Sequence, residues 1–131
     1  MREARQLGAL QLAILRVLWD RGEATATEVH QALLEEHGLA PTTIATMLKK
    51  MEARDLVDHR VDGRVFIYQP RVRSDEVQRS MVEEFVGRAF LGDPLALINH
   101  LVDSGEVEVG ELDALRKRIA KRRTHGAGGA E

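Results

Sequence analysis

Pro41-Thr42-Thr43-Ile44-Ala45-Thr46-Met47-Leu48-Lys49-Lys50-Met51 runs into Leu56-Val57-Asp58-His59-Arg60-Val61, then Asp62-Gly63, then Arg64-Val65-Phe66-Ile67-Tyr68. In the first run Ile44, Met47, Leu48 and Met51 recur at helical spacing and face inward. Thr42, Thr43, Thr46, Lys49 and Lys50 fall on the other side, hydroxyls first and long cations after them. A plain solvent face would mix Glu and Lys throughout. Pro41 suits the first helical position, where its missing N–H costs nothing. The Asp62-Gly63 pair between two β-rich runs predicts a hairpin with arginine on both arms. Pro70 ends its second strand.

Upstream, Leu10, Ile14, Leu15, Leu18 and Trp19 share one helical face, and Gly22 stops that helix. Thr25 or Thr27 can cap the next helix, and Glu28 completes a capping-box pattern with Thr25. That helix runs through Val29, Leu33 and Leu34 to His37, before Gly38. Downstream, Ser74 opens a helix in which Val77, Met81, Phe85 and Ala89 recur every four residues. Gly92-Asp93-Pro94 breaks the chain before a short apolar helix from Leu95 to Val102, and Asp103-Ser104-Gly105 breaks it again. A last helix is expected from Glu108 to Arg123, with Leu112, Leu115 and Ile119 inside and a basic end. The expected fold class is mainly α with a small β-hairpin wing. It comprises a winged helix-turn-helix over 1–73, an all-helical dimerisation domain over 74–123 and a disordered Gly/Ala-rich tail over 124–131.

Composition narrows the function classes. With 44% hydrophobic and 31% charged residues the chain reads as globular, and 4% aromatics imply an aliphatic core. The absence of cysteine excludes disulfides, a thiol nucleophile and Cys-based metal sites, and fits a reducing cytoplasm. No apolar run approaches the ~20 residues that span a bilayer, so no membrane insertion is expected. His30 and His37 stand seven residues apart on one helix, which does not match the i, i+4 spacing of helical zinc ligands. Glu83-Glu84 shows no paired-carboxylate arrangement of the kind acid–base work needs. Neither an enzyme, a metal site nor a cofactor is expected.

The net charge is −2, but its distribution matters more than its sum. Between Pro41 and Arg73, Lys49, Lys50, Arg54, Arg60, Arg64, Arg71 and Arg73 face only Glu52, Asp55, Asp58 and Asp62, seven against four. This is either a solvated surface or a DNA-reading face. Three helices followed by a hairpin favour the second reading, because that order braces a third helix for the major groove of double-stranded DNA. Thr42, Thr43 and Thr46 are short enough to meet base edges. Lys49, Lys50 and Arg54 would reach phosphates, and Arg60 and Arg64 would set the wing against the backbone or a minor groove. The alternative is a winged helix reused for docking proteins. In the second half, Val77, Met81, Phe85, Ala89, Leu97 and Leu101 cannot close a good core over so short a segment. They bury best against a twin copy, and a two-fold dimer would set recognition helices about 34 Å apart. Packing against its own head as a monomer is the alternative.

Ile14 through Trp19, Leu39 through Thr46 and Gly63 through Tyr68, in that order and spacing, resemble the BlaI/MecI/CopY penicillinase-repressor family from about Leu7 to Arg123. The resemblance implies a homodimeric winged-helix repressor of dyad operators upstream of resistance genes. The copper-responsive branch uses C-terminal cysteine pairs, which this chain lacks. The β-lactam branch implies a membrane sensor-protease partner and cleavage at an Asn-Phe bond in the dimerisation domain. The matching stretch is Leu97-Ile98-Asn99-His100-Leu101, so Asn99 is kept and His100 replaces Phe. Cleavage at Asn99-His100 is the implied outcome; two polar positions on a dimer-core helix are the alternative.

Overall fold

The computed structural model describes residues 7–129, the last six as backbone only. Its elements are α1 (Ala9–Arg21), β1 (Ala24–Thr25), α2 (Ala26–His37), α3 (Pro41–Ala53), β2 (Val57–Asp62), β3 (Val65–Pro70), α4 (Ser74–Ala89), α5 (Pro94–Asp103) and α6 (Val109–Gly129). The fold class is the expected one, mainly helical with a small β wing.

Thr25, not Thr27, caps α2. Its Oγ1 accepts from the Glu28 amide at 3.1 Å, and the Glu28 carboxylate accepts from the Thr25 amide at 2.8 Å. The backbone bond to Thr25, then the bond to its hydroxyl, holds the Glu28 carboxyl below its ordinary value. Gly38 ends α2 in the left-handed region, and its N–H reaches the Leu34 carbonyl at 2.9 Å. Two features of the sheet differ from expectation. The hairpin closes on Gly63-Arg64 rather than Asp62-Gly63, because Asp62 pairs with Val65 in the ladder. Gly63 takes φ 65° while Arg64 keeps negative φ, the pattern of a type II′ turn, which places glycine first. The sheet also has three strands, ordered β1-β3-β2, with Ala24 opposite Tyr68 and Thr25 opposite Ile67.

The chain divides into two compact units at Glu84/Phe85. The core of the first joins Ile14, Leu15 and Leu18 of α1 to Val29 of α2, Ile44, Leu48 and Met51 of α3, and Leu56, Val57 and Tyr68 of the wing base. Each fully buried aliphatic side chain contributes about 2 kcal/mol. Leu34, expected on the helix that carries Val29 and Leu33, stays exposed. The Trp19 indole Nε1 donates to the Val72 carbonyl at 2.9 Å, tying α1 to the segment that leaves β3. The division falls inside α4 rather than at the 73/74 boundary read from the sequence, since Val77 and Ser80 in the first turns of α4 are already buried.

The second unit covers little of its apolar surface. α5 buries none of its residues, although Pro94 and the Asp93 cap on the Leu95 amide start it well. Phe85, Leu95, Ile98, Leu115 and Ile119 are exposed. Leu91 is 94% exposed and holds φ 53°, a backbone region costing a non-glycine residue about 1 kcal/mol. α6 runs past the expected end at Arg123 to Gly129, a stretch that no proline interrupts. The expected tail therefore begins inside a helix, and residues 130–131 lie outside the described ones. No helix of the described residues is long and apolar enough to cross a membrane.

Candidate nucleic-acid interface

α3 presents its two faces as the spacing predicts. Ile44, Leu48 and Met51 are buried, and Thr42, Thr43, Thr46, Lys49 and Lys50 are exposed. Thr42, Thr43, Thr46, Met47 and Lys50 line a shallow groove of about 250 Å³. The N-terminus of α3 has Pro41 at its first position and no side-chain cap, and the Thr43 and Ile44 amides donate to the Ala40 carbonyl at 3.0 and 3.3 Å. Two contacts hold α3 and the turn before it in place. His30 Nε2 lies 2.9 Å from the Leu39 carbonyl, in the turn between α2 and α3, and the Gln11 amide reaches the Met47 sulfur at 3.6 Å. His30 thus supports the turn between α2 and α3.

Ion pairs within the chain narrow the basic strip. Arg60, expected against DNA, places its guanidinium on Glu23, with contacts of 2.8 and 3.4 Å. The hydrogen bond and charge of Glu23 hold the Arg60 guanidinium above its ordinary value. Arg71 lies 3.9 Å from both Asp55 and Asp58, and Arg73 reaches Asp75 at 2.6 Å. Arg54 forms the half-buried C-cap of α3. Among the described residues, Lys49, Lys50 and Arg64 hold no ion pair, and Arg64 sits in the hairpin turn. A cluster missed in the sequence links α3 to the wing. His59 Nδ1 sits 2.7 and 2.9 Å from the two Glu52 carboxylate oxygens, and the His59 ring stacks on Phe66 at 4.0 Å. Burial, then the Glu52 charge, raises the neighbouring Tyr68 phenol above its ordinary value. The signal available beforehand was the alternation of Val57, His59 and Val61 on one strand face.

Of the expected dimer positions, Val77 is buried within the chain and therefore unavailable to a partner. Met81, Leu97 and Leu101 are half-buried, and Phe85 and Ala89 are exposed. Leu91, Leu95, Ile98 and Val102 add exposed apolar surface that the expectation omitted. Asn99 and His100 are exposed on α5, with the His100 ring 6.0 Å from Phe90.

Comparison with known proteins matches this arrangement. The family model of the penicillinase repressor covers residues 7–121. The transcriptional regulator BlaI of Mycobacterium tuberculosis is 32% identical over 92% of this chain and 88% of its own length. The penicillinase repressor of Bacillus licheniformis is 23% identical over 88% of this chain and 90% of its own. The solved DNA-binding domain of the repressor BlaI superposes with a TM-score of 0.50 at 27% identity, covering 56% of this chain and 89% of that one. The chain belongs to the penicillinase repressor family of winged-helix, DNA-binding transcriptional repressors.

Proposed function

We propose that the chain is a homodimeric repressor that reads a dyad operator with the N-terminal half of α3 and holds phosphates with Lys49, Lys50 and Arg64. The observation that carries this reading is the exposed face of Thr42, Thr43 and Thr46, followed on the same helix by two cations without ion pairs among the described residues. Hydroxyl and methyl groups at a helix start suit base edges, and cations further along suit the backbone. The uncovered apolar surface of the second unit supports dimerisation, because patches of that kind mark protein interfaces. A titration against duplex DNA at several salt concentrations tests the DNA reading. Log affinity should fall linearly with log salt, by about 0.9 per phosphate held. Absence of retardation at low salt would sink it, and would leave a winged helix that docks proteins.

Genes of the β-lactam-resistance type as targets, and relief by cleavage at Asn99-His100, are the finer parts of the proposal. Exposure of both side chains supports the second. Mass spectrometry of the chain from β-lactam-treated cells should recover a fragment ending at Asn99. Intact chain after derepression would point to another release signal.

A further inference from the structure

We propose that Glu52 and His59 are positioning residues that set the pitch of the wing against α3, so that Arg64 is delivered to a DNA phosphate. The inference rests on the DNA-binding reading above. Beyond Ile67 the hairpin has only its own two strands, because β1 pairs no further than Ile67 and Tyr68. A two-stranded ribbon is marginal and strongly twisted unless something supports its face. Here the support comes from both sides. On one face Glu52, in the last turn of α3, holds His59 with both carboxylate oxygens, at 2.7 and 2.9 Å. The imidazole is stacked on Phe66 at 4.0 Å and 10°, so the contact spans both strands. His59 faces Tyr68 across the ladder and Phe66 lies diagonal to it. On the other face Arg60 is held by Glu23, which is why Arg60 serves the wing's base while Arg64 extends from its turn.

The lever is long enough to matter. The turn begins four residues beyond His59, about 13 Å along the strand, so a tilt of about 10° there moves it by about 2 Å. That displacement exceeds the window of a hydrogen bond.

The test measures binding of the full chain to a mixed-sequence duplex by fluorescence anisotropy across a salt series. Arg64→Ala should reduce the salt slope by about 0.9 per bound protomer, one phosphate contact each. His59→Ala should reproduce that loss although His59 itself does not meet DNA. The double variant should lose no more than Arg64→Ala alone. Glu52→Gln keeps an acceptor oxygen and should retain the slope, whereas Glu52→Ala should behave as His59→Ala does. Circular dichroism confirms that each variant is folded, and if His59→Ala unfolds, Glu52→Ala takes its place in the cycle. A wild-type slope in both His59→Ala and Glu52→Ala, or fully additive losses in the double variant, overturns the brace alone. Wild-type protein that fails to bind the duplex at low salt overturns the DNA-binding reading and the brace with it.

Discussion

The Trp19 indole donates to the Val72 carbonyl across 53 residues of chain, at 2.9 Å. This bond holds the exit of the wing against α1 before α4 begins. Trp19→Phe keeps most of the apolar contact but leaves the carbonyl without this donor. The expected cost is about 1 kcal/mol, read by urea denaturation followed by circular dichroism. An unchanged midpoint would show that water replaces the bond at no loss.

The Thr25 cap predicts both a stability loss and an acid-side pH dependence. Thr25→Ala should destabilise the first unit by about 1 kcal/mol. Glu28 has a depressed carboxyl pKa in the folded chain, so its contribution is present above the ordinary value of 4.5. It is lost as pH falls from there through the lowered folded value. Glu28→Gln should therefore flatten that acid arm while leaving the neutral arm parallel to wild type. A wild-type and variant difference that does not change with pH would contradict the capping account.

On operator DNA selected by the protein itself, Thr43→Ala or Thr46→Ala should weaken specific binding by about 1–3 kcal/mol and spare nonspecific binding. Lys50→Ala should weaken all sequences alike and lower the salt slope. Equal behaviour of the threonine and lysine variants would erase the division between base-reading and phosphate-holding positions.

Ile98→Asp should shift the proposed dimer to monomer in sedimentation velocity, since Ile98 is half-exposed on a helix with no fully buried residue. The first unit should keep its unfolding midpoint at matched monomer concentration. A dimer that survives would move the interface away from α5.

The helices were legible because Ile14, Leu18, Ile44, Leu48 and Met51 repeat at helical spacing, and the hairpin because glycine punctuates two β-rich runs. The turn was read one residue early, since Asp-Gly and Gly-Arg are both acceptable hairpin loops and only the ladder register chooses between them. β1 has two residues, too few to show alternation, and forms because Ala24 and Thr25 lie along β3. The threonine and lysine face of α3 follows directly from its helical period. Arg60 could not be sorted from Arg64 beforehand, because its partner Glu23 lies 37 residues away in sequence. Val77 could not be sorted from the rest of its stripe for a related reason: an apolar stripe does not say which of its members its own chain covers.

Thr25 belongs to two structures at once, pairing with Ile67 in the sheet and capping α2 through Glu28. Peeling β1 from β3 therefore removes the cap, and fraying the first turn of α2 loosens the strand. The wing base and the start of α2 should open as one cooperative unit, and their amides should exchange with deuterium at a common free energy.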